Sequence, residues 1–297
     1  VQEAIMNSRA SHDNVLAAIT GCVLVVVALA ITVLILHVIA IAVPAFDRMI
    51  VPAAFAQERP KTLVAVFAHA DDEGAAAPVL ARYAREGVQV YVIIATDGAQ
   101  GGAHTSIPRG PELARVRSVE ARCATDALGV HPPILLAFPD AQLGNFLEDR
   151  ARLPKLTARI QAELERLRPD ALITWGPDGA TGHPDHRLVG SIVTQLVRAG
   201  APGAPERLFY VVLPSEGVRA MNVDRDISYL MPLAKYANAR ISFSDADFDA
   251  ARQSMACHGT QYSNEVVARV SAAMRGALNG TLALIPWVPM APTTDLF

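Results

Sequence analysis

From Leu63 onward the chain alternates short β-branched apolar runs with helix-length stretches, and few folds satisfy that alternation. Leu63–Phe67 (LVAVF) is apolar throughout, as a strand buried on both faces must be. Asp72–Arg85 is Ala-rich and reads as a helix closed by Gly87. Val88–Ile94 reads as a second strand, and Pro111–Leu128 as a helix opened by proline and closed by Gly129. Ile134–Ala137, Ala171–Thr174 and Leu208–Leu213 continue the strands, with helices expected at Pro154–Arg168 and His186–Ala199 between them. This order predicts an α/β, Rossmann-like architecture, a mostly parallel sheet with helices on both faces. Beyond Pro214 the pattern loosens. Helices are expected at Asp247–His258 and Ser263–Ala277, and the tail Ile285–Phe297 holds too many prolines for one.

A different segment precedes this domain. No Asp, Glu, Lys or Arg occurs between Val15 and Phe46, a run longer than the ~20 residues that cross a bilayer. A core helix of that length would carry a polar face. The expected organisation is a flank at 1–14, a transmembrane helix or signal anchor at 15–43, a linker at 44–61 and a catalytic domain at 62–297. Ala54-Phe55-Ala56 resembles a signal-peptidase site, which favours a membrane-anchored or exported domain. Translation from Met49 would delete the helix and leave a cytoplasmic protein. Formal charge is −3 and aromatics are 6%, so neither the basic patch nor the stacking platform of a nucleic-acid binder is expected. Cys22, Cys123 and Cys257 are odd in number and contain no CxxC pair, so they read as buried thiols.

In an open α/β sheet, sites form at the carboxyl ends of strands. The loops there read His69-Ala70-Asp71-Asp72-Glu73, Thr96-Asp97-Gly98, Pro139-Asp140, and Gly176-Pro177-Asp178 running on to His186. Paired acids at a helix start ordinarily serve as caps. Here a histidine precedes them at the mouth of a buried strand, and a second constellation, His183-Pro184-Asp185-His186, supplies a further ligand. His69, Asp72 and His186 form a two-histidine, one-carboxylate set that suits zinc, and iron(II) accepts it too. Asp71 then faces the attacking water, His183 is an acid or oxyanion donor, and Asp185 orients it.

These residues resemble the LmbE-like, or PIG-L, deacetylases of N-acetylglucosaminyl compounds. Ala68–Glu73 matches that family's AHPDDE motif with Ala70 in place of proline. Thr96-Asp97-Gly98-Ala99-Gln100-Gly101 matches its TDGxxG loop and Arg117-Ser118-Val119-Glu120 its RxxE helix. Pro139-Asp140 and Gly182–His186 match its PD and GHxDH motifs, and His258-Gly259-Thr260-Gln261 echoes its late HxSQ segment. The resemblance implies zinc on His69, Asp72 and His186, and Asp71 as general base. It also implies that His183 stabilises the oxyanion and protonates the leaving amine, with Asp185 behind it. Arg117 is expected to reach substrate hydroxyls or phosphate, or else to form a helix-surface ion pair with Glu120 or Glu112. Asp140 is expected to bind sugar hydroxyls, or else to structure a turn. The implied substrate is a small or lipid-linked N-acetylated glycan, with the membrane as a further partner. The competing expectation is a tethered, non-catalytic binder of glycans or lipid headgroups. A nucleotide-binding enzyme is excluded, because the first turn reads AHADDEG where GxGxxG is required.

Overall fold

The structure, a computed structural model, describes residues 27–37, 59–145, 148–220 and 234–297. The chain divides into two compact units, Val1–Arg59 and Pro60–Phe297. In the first, residues 27–37 are helical and their large apolar side chains, among them Leu29, Leu34 and Leu36, are exposed. Among the described residues no helix is long and apolar enough to cross a membrane. The remainder of the 15–43 span expected to be transmembrane, and nearly all of the 44–61 linker, lie outside the described residues.

The second unit is built on a seven-stranded sheet. Its strands are β1 (Thr62–Phe67), β2 (Gln89–Thr96), β3 (Ile134–Phe138), β4 (Ala171–Thr174), β5 (Arg207–Val211), β6 (Ala239–Ser242) and β7 (Thr281–Pro286), in spatial order β3-β2-β1-β4-β5-β7-β6. The first five are parallel, and β7 runs antiparallel to both β5 and β6. The helices are α1 (Ala77–Arg85), α2 (Pro111–Leu128), α3 (Arg152–Leu167), α4 (Pro184–Arg198), α5 (Ser215–Ala220), α6 (Asp245–Cys257) and α7 (Asn264–Leu278). Strand alternation assigns them to two layers. Leu63, Ala65 and Phe67 of β1 pack with Val79 and Leu80 of α1 and with Phe248 of α6. Val64 and Val66 pack with Leu156 and Ile160 of α3 and with Val189 and Val193 of α4. The chain crosses from one side of β1 to the other between β3 and β4, so the carboxyl ends of β1 and β4 flank the crevice where such sheets bind ligands.

Three features depart from the expectations. The helix expected from Asp72 to Arg85 is broken into a 3-10 turn, Asp72–Ala75, and α1. Pro78 has no N–H to donate to Gly74, so a continuous helix cannot form there. The less regular stretch beyond Pro214 contains a strand that was not expected: Leu282 and Leu284 are buried at alternate positions, the period of a strand, and β7 inserts between β5 and β6. Cys123 and Cys257 are not thiols but a disulfide spanning 134 residues, with Cα atoms 5.7 Å apart. It joins α2 to α6, and only the packing of those helices brings the pair together.

Helix α6 begins with a capping box. Ser244 Oγ accepts from the Asp247 amide, and Asp247 Oδ2 accepts from the Ser244 amide at 2.8 Å. Asp247 also receives two hydrogen bonds from Arg85 of α1. Burial opposes ionisation of Asp247, but Arg85 and Ser244 hold its pKa down to about 2. A depressed carboxylate stabilises the fold above its unfolded pKa, and that contribution is lost as pH falls towards the folded value. Asp247→Asn is therefore expected to cost about 1–2 kcal/mol at pH 7, allowing for the solvent exposure of Arg85. The cost should shrink between pH 4 and pH 2, as read by urea midpoints across that range.

Candidate metal and catalytic site

Asp72 stands in the turn after β1. Its Oδ2 accepts from the amides of Ala68 (3.0 Å) and His69 (2.9 Å) and from Trp175 Nε1 (3.0 Å). That leaves Oδ1 pointing at His186 Nε2, 3.2 Å away. His186 lies in the first turn of α4, and its Nδ1 faces the Gly179 carbonyl at 3.0 Å. A carbonyl only accepts, so the proton is on Nδ1 and Nε2 presents a lone pair. Trp175 stacks flat on the His186 ring, with centroids 4.4 Å apart. Gly190 of α4 makes room for it, since a Cβ there would meet the Trp175 carbonyl oxygen at 2.2 Å.

His69 completes the set. Its Nε2 lies 3.2 Å from Asp140 Oδ1 and 3.4 Å from Asp185 Oδ2, so the carboxylates keep the proton on that nitrogen. Its Nδ1 is then a lone pair, 3.1 Å from His186 Nε2. Two imidazole lone pairs and a carboxylate oxygen thus converge in a buried space, and three acceptors repel one another unless a cation lies among them. The residues fit a metal on chemical grounds. Before a metal binds, burial opposes charge on His69, yet Asp140, Asp185 and Asp72 raise its pKa well above the ordinary imidazole value, so a metal binding at Nδ1 would displace a proton there. Burial also opposes ionisation of Asp72, but His186 and His69 hold its carboxyl well below the usual range. His183 also lies near enough to join a group with His69 and His186. Its Nδ1 accepts from the Asp185 amide at 3.1 Å and caps α4.

Asp71 is held apart from this set. Its backbone sits at φ 100°, a left-handed conformation that costs a non-glycine residue energy and turns its side chain away from that of Asp72. Burial raises its pKa, with Arg117 opposing. Its Oδ1 accepts from Arg117 at 3.3 Å and its Oδ2 from the Tyr262 hydroxyl at 3.0 Å. Burial and the nearby Asp71 carboxylate push the Tyr262 hydroxyl well above its ordinary pKa, so it stays a donor. Burial and the neighbouring imidazoles His69 and His186 lower His183, which leaves a neutral ring with its Nε2 proton available.

Three expected residues occupy other places than the sequence suggested. Arg117 forms no surface pair with Glu112 or Glu120. It is 2% exposed and donates to the carbonyls of Ala70 and Gly98 as well as to Asp71, tying the loops after β1 and β2 together. Gly101 permits this passage, since a Cβ there would meet Arg117 Nη1 at 2.1 Å. Asp140 is buried and accepts from the amides of Gln100 (2.8 Å) and Gly101 (3.1 Å) besides facing His69. Its pKa falls to about 2, because His69, the Gln100 amide and Arg117 outweigh burial. Asp185 accepts from the Leu143 amide at 3.1 Å and its free oxygen faces His69, not the His183 ring. Both carboxylates therefore lie against the His69 ring.

Sequence reasoning noted Glu120 and His258–Gln261 as motif matches but gave no site role to the residues that close the site from the other side, Tyr262 among them. Glu120, three positions after Arg117 on the same face of α2, accepts from the Thr260 amide and hydroxyl, both at 2.7 Å. His258 contacts Glu73 Oε1 at 2.6 Å, and Gln261 donates to the Gly101 carbonyl at 2.8 Å. These bonds seat the segment carrying Tyr262. The HxSQ-like echo at His258–Gln261 was the available signal, and it stops one residue short.

The model of the family described as "PIG-L: GlcNAc-PI de-N-acetylase" matches residues 64–197. A 1D-myo-inositol 2-acetamido-2-deoxy-alpha-D-glucopyranoside deacetylase from Corynebacterium urealyticum is 28% identical over 238 residues, which are 68% of this chain and 71% of that protein. Matches to three other proteins of that name span only 55–61% of their lengths. An N,N'-diacetylchitobiose deacetylase from Pyrococcus horikoshii superposes with TM-score 0.59 at 17% identity, covering 86% of this chain and 97% of that one. The 4-carboxy-2-hydroxymuconate hydratase GalB from Pseudomonas putida superposes with TM-score 0.52 at 13% identity, covering 80% and 100%. The fold is thus shared with an enzyme that cleaves no amide, and the reaction must be argued from the side chains.

Proposed function

Because the chain carries a domain of the PIG-L family, we propose that it is a metal-dependent hydrolase that removes the acetyl group from an N-acetylated amino sugar or glycoconjugate. The observation that carries this reading is the convergence of His69 Nδ1, Asp72 Oδ1 and His186 Nε2 beside Asp71, a carboxylate that is not part of the set. Zinc is the metal we favour on these ligands, and when bound it would polarise the amide carbonyl and lower the pKa of water to about 7.

The remaining roles fall to side chains. Asp71, oriented by Arg117 and Tyr262, takes a proton from the attacking water. The water oxygen bonds to the carbonyl carbon, and the carbonyl oxygen gains negative charge. The neutral His183 ring donates its Nε2 proton as a hydrogen bond to that oxygen. Asp71 or His183 delivers a proton to the nitrogen as the C–N bond breaks, giving a carboxylic acid, which passes its proton to the amine, so that carboxylate and ammonium leave. Asp140 and Asp185 hold His69 in register.

The test is metal content and acetate release together, on the full chain, across N-acetylglucosamine derivatives. About one zinc per chain with stoichiometric acetate and free amine is the expected result. A folded, metal-loaded protein that bound these glycans without releasing acetate would instead be a tethered binder. The charge-free run supports a membrane tether at 15–43, and the disulfide supports an oxidising compartment. Alkylation of the denatured, unreduced chain should then label Cys22 alone, and labelling of all three cysteines would overturn that placement.

A further inference from the structure

The cavity holding the metal ligands does not end at them. It has a volume of about 350 Å³ and runs on from Asp71, Glu73 and His186 into a chamber walled by Leu213, Phe248, Ala251, Val270, Met274 and Leu282. Most of these side chains are buried. They come from α6, α7, β7 and the loop after β5, elements outside the part of the chain that matches the family model. On the α6 and α7 walls the polar residues are Ser271, nearly buried, and Arg252, which is exposed.

The two ends of this cavity make opposite demands. The ligand end offers acids and imidazoles to a polar, reacting amide. The chamber offers almost nothing to a hydroxyl group, and burying a sugar ring there would strip its hydroxyls of water without replacing those bonds. An acetyl methyl occupies little of it. A ligand gains from such walls only through apolar surface. We propose that the substrate carries an apolar chain or ring close to the scissile amide and that this group lies between α6 and α7. The inference rests on the hydrolase reading and narrows its substrate to an amphiphilic N-acyl amino sugar. The apolar group can belong to the acyl chain or to the aglycone, and both present the same surface to the chamber.

Two substrate series separate these sources on the zinc-loaded full chain. One lengthens the acyl group of glucosamine from acetyl through butanoyl and hexanoyl to octanoyl. The other keeps N-acetylglucosamine and lengthens an alkyl aglycone from methyl to octyl. In one series kcat/KM is expected to rise about threefold per methylene until the chamber is full. Ala251→Leu and Val270→Phe, which place bulk in the chamber from different helices, should each lower kcat/KM for the longest member at least tenfold more than for the shortest. Release from the shortest members with a flat or falling response in both series would overturn this inference and leave the hydrolase reading intact. Absence of release from every member would overturn the hydrolase reading itself.

Discussion

Asp71→Ala should lower kcat/KM about a thousandfold, within the range expected for loss of a positioned general base, while bound metal stays near one per chain. The separation follows from geometry. Asp71 and Asp72 are adjacent, but the positive φ of Asp71 turns its carboxylate towards Arg117 and Tyr262 and away from the ligand atoms. His186→Ala should do the converse and remove metal and activity together, because Nε2 is one of the converging acceptors. Metal analysis beside initial rates reads both variants. Loss of metal in Asp71→Ala would mean that Asp71 is a ligand and that the division of labour is wrong.

Arg117→Met should have the largest effect on stability, about 3–5 kcal/mol, because it removes one partner of a buried ion pair. The guanidinium is 2% exposed, donates to two loop carbonyls and lies between Asp71 and Asp140. Without it, the buried Asp140 and the half-buried Asp71 lose a counter-charge and the loops after β1 and β2 lose their tie. Arg117→Lys should recover little, since an ammonium cannot reproduce the planar fork that reaches several acceptors at once. Urea unfolding would show a lower midpoint at unchanged slope. Wild-type stability in Arg117→Lys would show that charge alone suffices there.

What could be read in the sequence was what is local. The strands β1 and β4 were legible because burial on both faces forces a continuous apolar run. His69, Asp71 and Asp72 stood out because each lies within five residues of the end of β1, and His183 and His186 because they sit together in the longer connection after β4. The second set of contacts was not legible in the same way. Asp140 looked like a group facing substrate and Asp185 like one behind His183, yet both face His69 Nε2, a relation fixed only when the loops after β3 and β4 meet. Tyr262 lies 191 residues from its partner Asp71, and the disulfide spans 134. Neither separation leaves a periodicity or a spacing to detect. Strand β7 was obscured by the prolines that follow it.

The strand order has a consequence for how the protein comes into being. Strand β1 lies inside the sheet, but neither of its neighbours follows it in sequence without a crossover, and β7 pairs with β5 across some seventy intervening residues. Contacts so distant along the chain slow folding, because loop closure is paid for before pairing rewards it. On a ribosome the loop that carries His69, Asp71 and Asp72 emerges well before Tyr262 and the α6–α7 wall. The nascent domain therefore exposes its candidate metal ligands before it holds the hydroxyl that fixes the Asp71 carboxylate.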